Sequence, residues 1–305
     1  MRVKVENGVI ESVPNKKVLD RIKKILEQQK SDGDGPAKAR FAATVMLVRD
    51  AVPGDTKYAI TDEEFPEDFP NNQNVEVFML RRVKTMSFVP DAVVFPGGRV
   101  DDRDAMEDLP WCGPSPAQWA EYMGCEERIA RCVVVAAARE VFEESGVLLA
   151  GPNENELVSD LTDPSWAEDR AALVNHELSF AEMLIRRNLM LRTDLLGLIS
   201  NFCTPEYEPK RFDTFFFAAL MPEGQEADDK TSEAQIADWV TPSYAIRESD
   251  REHWLVVPPT VYNLTRVAEA NSAAEFAGTR RRVKKVMATL EQTEDGTYVL
   301  RSRLE

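Results

Sequence analysis

The sequence predicts an α/β fold, on three observations. Short β-branched or aromatic runs read as buried strands at Phe41 to Val48, Val75 to Leu80 and Arg211 to Leu220. Segments of helical period separate them, among them the stripe Val18, Leu19, Ile22, Ile25 and Leu26 and the apolar run Val133 to Ala138. The chain has 305 residues, 43% hydrophobic and 30% charged, which is enough to bury a sizeable core and matches an ordinary globular make-up.

The same composition excludes several classes. No apolar run approaches the roughly 20 residues that a membrane helix needs, so no membrane partner is expected. The first residues lack an apolar secretory core, and Ser302-Arg303-Leu304 is followed by Glu305, so neither a secretory nor a peroxisomal address is read and a cytoplasmic location is expected. A formal charge of −16 argues against nucleic acid as a partner, because a phosphate backbone requires a basic surface. A small anionic ligand stays compatible, given a local arginine patch or a cation. Cys112, Cys125, Cys132 and Cys203 form no CxxC pair and read as ordinary thiols, and His176 and His253 read as structural residues distant from the motif below.

In chain order, Asn7-Gly8 predicts a hairpin turn and Pro14 starts a helix that Ser31 to Pro36 interrupts, which sets off residues 1–36 as an appendage with a linker. The strands 41–48 and 75–80 follow, joined by an acidic loop, and Ala92 to Phe95 gives a third strand that ends in a turn at Gly97-Gly98. Residues 101–128 show no strong period. A helix then carries Val133 to Ser145, Val147 to Leu149 reads as a strand, and 153–196 reads as mostly helical, starting at Asp163-Pro164. After the strand 211–220 come a charged loop from Glu223 to Glu233, a strand at Ala237 to Val240, a helix from Pro242, helical residues 260–276 and a terminal hairpin turning at Glu294-Asp295-Gly296. The main domain is therefore 37–305, with insertions at about 105–128 and 153–196.

The chemistry concentrates at Arg139-Glu140-Val141-Phe142-Glu143-Glu144-Ser145-Gly146-Val147. Helical spacing puts Glu140, Glu143 and Glu144 on one side, where like charges at i, i+3 and i, i+4 repel. A divalent cation bound by oxygen ligands offsets that repulsion. Scarce histidine argues against imidazole-based nucleophilic or metal chemistry. The bland reading of the cluster is an acidic helix end on the surface.

These residues resemble the Nudix box. Gly98 takes its first position, Asp104 stands where the box has Glu, and Arg139 to Val147 fits its second half at every defined position. The spacer departs from the pattern: 34 residues separate Asp104 from Arg139 where the box has seven. An insertion at this place, together with Val77 to Arg82, Phe88 to Gly98, Phe202 to Pro205 and Arg211 to Thr214, looks like the peroxisomal and kidney-type coenzyme A diphosphatase branch, with Ser87 and Asp91 where its pattern has Arg and Gly.

The resemblance implies a Nudix α/β/α sandwich, a mixed sheet between helices with helical insertions. It implies hydrolysis of a nucleoside diphosphate linked to another group, with coenzyme A or an acyl derivative as the first substrate and Mg²⁺ or Mn²⁺ as cofactor. Glu140, Glu143, Glu144 and the Gly98 carbonyl would hold the cation. Arg139 would orient the carboxylates, and Arg82, Gly97 and Gly98 would meet the substrate. Glu143 or Glu144, or else Glu233 on a loop, would activate water. The rival readings are an ADP-ribose or nucleotide-sugar pyrophosphatase and a nucleotide-binding sensor without turnover. Arg81 and Arg82 also read simply as a solvated strand end. Trp111 and Trp119 read as core or as a lid over the cleft.

Overall fold

The computed structural model describes residues 3–14, 16–32, 35–52, 56–60, 73–83, 91–230 and 234–304. In chain order the elements are β1 (Val3–Glu6), β2 (Val9–Ser12), α1 (Lys16–Asp32), β3 (Arg40–Asp50), β4 (Val75–Arg82), β5 (Val93–Val94), β6 (Gly97–Arg99), β7 (Trp111–Cys112), α2 (Pro116–Met123), α3 (Glu127–Ser145) and β8 (Ala150–Gly151). They continue with α4 (Pro164–Val174), α5 (Phe180–Arg186), β9 (Met190–Arg192), β10 (Leu196–Cys203), β11 (Phe212–Leu220), β12 (Ala234–Val240), α6 (Pro242–Asp250), α7 (Pro258–Ala268), α8 (Ala273–Ala277), β13 (Lys285–Met287), β14 (Thr289–Gln292) and β15 (Tyr298–Arg303).

The central sheet is mixed, in the order β12-β4-β3-β11-β10-β13, with β5 paired to β4 and β6 to β3. Its backbone is the parallel ladder of β3 and β11, in register from Arg40↔Phe212 to Val48↔Leu220. Strand period two sorts the side chains between two cores. Ala43, Val45 and Leu47 of β3 and Phe215 and Phe217 of β11 pack with α3 and with Trp119, Leu173 and Phe180 of α2, α4 and α5. Met46, Val48, Phe216 and Ala218 face the other way, onto α6, α7 and α8. The result is the α/β/α sandwich expected. Fully burying one of these Phe or Leu side chains contributes about 1.5–3 kcal/mol.

The helix α3 runs through the first core, buried nearly all round from Ala130 to Phe142. Its Ala136-Ala137-Ala138 run combines high helix propensity with small girth, so the sheet approaches closely. Gly146 ends it in the left-handed conformation (φ 75°), donating its N–H to Phe142 O at 3.0 Å.

Both predicted terminal hairpins form. Asn7 and Gly8 take positive φ at the first turn, and β14 pairs with β15 from Thr289↔Arg301 to Gln292↔Tyr298. The sequence reading treats the two separately, but β2 pairs with β15 and the order β1-β2-β15-β14 makes one four-stranded sheet. The helix α1 runs into the expected linker as far as Asp32, and Gly33 and Asp34 lie outside the described residues.

Other expectations are corrected. Val147 to Leu149 is not a strand, although all three residues are fully buried. The Gln225 side chain serves Leu148 as a strand would: Leu148 N–H donates to Oε1 at 2.8 Å and Nε2 donates to Leu148 O at 3.0 Å. Segment 153–196 holds α4 and α5 but also β9 and an irregular stretch, and the buried strand β10 begins at its last residue. Every residue of β10 is buried, so its apolar run lacks alternation and resembles a buried helix in sequence. Gly97-Gly98 is not a turn but part of β6, paired with Thr44 and Ala43.

Candidate active site

The site is built where α3 passes β6. Arg139 is its centre, buried with its guanidinium fully engaged. Nε donates to Asp104 Oδ1 at 3.0 Å and Nη2 to Asp104 Oδ2 at 3.1 Å, a bidentate pair. Nη1 donates to Glu140 Oε1 at 2.8 Å and to Glu143 Oε2 at 3.2 Å, and Nη2 also to Arg99 O at 2.9 Å. These contacts use all five N–H groups that an arginine has. Asp104 lies in a short 3-10 turn, Asp102–Ala105, capped reciprocally by Asp101. The sequence separation of Asp104 and Arg139 thus disappears in space, and residues 106–126 loop out between them.

The carboxylates converge on β6. Glu144 Oε2 accepts from Gly97 N–H at 2.7 Å. A Cβ at Gly98 would collide with the Glu140 carboxyl group, so a larger residue there would push that carboxylate out of its place. Burial raises the Glu140 carboxyl to about 8, with Arg139 opposing and Glu143 reinforcing the shift. Glu143 is also raised, again chiefly by burial and against the pull of Arg139. For Arg139, burial acts against the charge, and Glu140 and Asp104 more than offset it.

This donor set suits a hard divalent cation. Asp104, Glu140 and Glu143 are held by one arginine and Glu144 is the next residue on the helix; carboxylate oxygens are the ligands Mg²⁺ and Mn²⁺ prefer, and burial penalises the negative charge of the first three. Among the described residues no three acidic, thiol or imidazole groups already stand grouped as a metal site. Arg139 Nη1, bridging Glu140 and Glu143, is the cation now between them.

A cleft of about 1510 Å³ opens beside this cluster, and Gly97, Gly98, Arg139, Glu140, Glu143 and Glu144 all border it. Arg82 borders it too, from the end of β4. Its Nε is buried and makes no hydrogen bond among the described residues. Neighbouring Arg81 behaves differently, pairing with Asp91 at 2.9 Å. Asp91 adopts φ 63°, the conformation favouring the glycine whose place it takes in the expected pattern. Ser87 and Glu233 lie outside the described residues.

Two expectations fail here. His176 is not remote: it lies in the cleft wall, hydrogen-bonded to Arg103 Nη2 and 3.8 Å from Asp101 Oδ2. Sequence distance hid it, because α4 returns the chain to α3. None of residues 106–124 borders the cleft, so the lid reading falls; Trp119 is 0% exposed in the α3 core, and Trp111 Nε1 donates to Pro114 O at 2.7 Å. His253, by contrast, pairs with Glu248 outside the cleft, at 2.9 Å. Sequence reasoning also missed Arg170 of α4, which donates to Glu143 O at 2.9 Å and to Asp228 at 2.7 Å. It ties the C-terminal end of α3 to two other segments, and a lone arginine in a helical insertion carries no signal for this.

Comparison with known proteins agrees with this geometry. A family model described as the NUDT19 Nudix domain matches residues 126–267, from the start of α3 to α7. The chain is similar to putative nudix hydrolase 7 of Caenorhabditis elegans, 32% identical over 193 residues that span 63% of this chain and 56% of that protein. It is also similar to acyl-coenzyme A diphosphatase NUDT19 of Xenopus laevis, 26% identical over 298 residues, 84% of this chain and 77% of the relative. The crystal structure of a NUDIX hydrolase from Alicyclobacillus acidocaldarius superposes with a TM-score of 0.62 at 25% identity, covering 81% of this chain and 98% of that one. With Arg139 holding three acids, three glutamates on one helix side and a glycine strand beside them, the chain resembles the Nudix hydrolases in both site and fold.

Proposed function

We propose that the protein hydrolyses the diphosphate linkage of coenzyme A or an acyl-coenzyme A, giving a phosphopantetheine and 3′,5′-ADP. One observation carries the reading: Glu140, Glu143 and Glu144 meet the Gly97-Gly98 strand in the same cleft that Arg82 borders, an arginine whose buried Nε has no hydrogen bond among the described residues. In this reading the acids bind a cation and the arginine binds phosphate oxygens. The Xenopus laevis and Homo sapiens relatives named acyl-coenzyme A diphosphatase support the choice of substrate.

A diphosphate repels an attacking hydroxide, so the site must neutralise it and position water. Glu140, Glu143 and Glu144, with the Gly98 carbonyl, would hold Mg²⁺ or Mn²⁺. When bound, such a cation screens the phosphate charge and lowers the pKa of a coordinated water. Arg139 fixes the directions in which Glu140 and Glu143 point, and Asp104 fixes Arg139. Both Glu143 and Glu144 border the cleft, and Glu143 is the base candidate on the helix because it is partly exposed there whereas Glu144 is buried. Arg82 orients the diphosphate.

The test is product analysis by mass spectrometry after incubation with Mg²⁺ or Mn²⁺ and each of coenzyme A, acetyl-coenzyme A, ADP-ribose, NADH and UDP-glucose. The expected result is phosphopantetheine and 3′,5′-ADP from coenzyme A. Preference for ADP-ribose refutes the substrate, and no turnover of any diphosphate refutes the enzyme.

A further inference from the structure

The cleft is much larger than the acid cluster needs. Small-molecule sites commonly enclose about 300–1,000 Å³, and this one reaches about 1510 Å³. Its far part is a slot between two sheets, which strand period reveals. Thr44 of β3, Thr214 and Phe216 of β11 and Phe202 of β10 form one wall, from one face of the central sheet. Ile10 and Ser12 of β2 and Leu300 and Ser302 of β15 form the opposite wall. The register Leu300↔Ser12 and Ser302↔Ile10 puts these four on one face of the terminal sheet. The hairpins at the two ends of the sequence are thus the roof of a passage that opens onto Glu140 and Arg82.

The lining selects a chemistry. Each wall interleaves hydroxyls with aliphatic or aromatic groups and sets no charge among these eight side chains. Of the eight, Thr44, Thr214 and Leu300 are partly exposed and the others are buried, and such a surface suits an uncharged, unbranched chain that lays aliphatic stretches on Leu300 and amides against hydroxyls. A ribose or hexose ring, with hydroxyls on every edge, would bury polar groups against those apolar patches. Charged residues also border the cleft: Arg21 and Glu208 pair with each other at 2.6 Å, and Arg40 and Lys210 stand on the same border.

We infer that the slot receives the non-nucleotide arm of the substrate, an extended aliphatic chain bearing amides, and that the roof strands β2 and β15 set which diphosphates are accepted. The inference rests on the coenzyme A reading above and adds to it a specificity surface made by the terminal sheet. Leu300 and Ala288 are partly exposed cleft residues on separate segments, so each can be enlarged without opening the core.

The experiment compares two probes in the full-length protein: coenzyme A, and the methyl ester of 3′-phosphoadenosine 5′-diphosphate, which keeps the diphosphate and lacks the arm. In Leu300→Trp and separately in Ala288→Phe, the ratio of kcat/KM for coenzyme A to that for the methyl ester should fall about tenfold or more, through KM. An unchanged ratio in both variants, with wild-type melting temperatures, overturns the slot and leaves the catalytic reading standing. If wild-type protein turns over neither probe, the catalytic reading has failed instead. Calorimetric binding of coenzyme A then decides the slot: a Kd weakened about tenfold by Leu300→Trp supports it, and an equal Kd or no binding by the wild type overturns it.

Discussion

The two ends of the cleft are built on opposite principles. At the acid end, each side chain is held by a specific partner: Arg139 spends every donor, Asp104 is gripped twice, and Gly98 is pressed against Glu140 with no room for a methyl group. In the slot, sheet faces supply a graded surface of hydroxyl and apolar groups in which no single contact dominates. The difference teaches where tolerance lies. Chemistry demands fixed directions and fails when one atom moves, whereas the slot, as inferred above, would hold an arm by surface rather than by one contact.

That contrast makes measurable demands. The largest effect is expected from Glu143→Gln, which keeps shape and removes charge: kcat should fall by about a thousandfold or more with little change in the melting temperature. Near-wild-type turnover in steady-state assays would remove Glu143 from the site and end the contrast. Arg139→Lys comes next. Three donors cannot serve Asp104, Glu140, Glu143 and Arg99 O together, so kcat should drop about 10–100-fold and the protein should melt earlier. Equal activity in the lysine variant would mean that charge alone, without the guanidinium fork, positions the acids.

The smallest effect concerns stability. Glu140 and Glu143 are raised in the folded chain, Glu140 from 4.5 to about 8, so between these values the native state holds protons that the unfolded state has released. Stability in a chelator should therefore decline as pH rises from 5 to 8, by about 3 °C or more in melting temperature. Mn²⁺ or Mg²⁺ should remove most of the decline, and Glu140→Gln should flatten it. Calorimetry showing a chelated protein that gains stability over this range would reverse the electrostatic account. Leu300→Trp should leave this pH dependence as it is, since the slot contributes none of these carboxylates.

Legibility in the sequence follows the same division. The helix bearing the acids was readable because its signal is local: an apolar run, three glutamates at helical spacing and a closing Gly146. The strands β3, β4 and β11 were readable from β-branched and aromatic runs. Strand β10 was not, because complete burial erases the alternation that marks a strand. Val147 to Leu149 misled for a related reason, since burial and apolarity do not say whether a strand or the side chain of Gln225 meets the backbone. His176 and Arg170 were illegible because their relation to the site exists only after α4 folds back on α3. The roof of the slot was hidden most completely: each hairpin was visible, but the pairing of β2 with β15 joins residues about as far apart in sequence as the chain permits.

That pairing fixes an order of events. Ribosomes deliver the acids of α3 well before β15, and the ladder from Arg40 to Val48 can close once Leu220 has emerged. Strand β2 must wait for residues 300–303 before it has a neighbour on that edge. Closing so long a loop gains nothing until its last contact forms. A growing chain would therefore own the carboxylates of α3 well before β2 has β15 beside it.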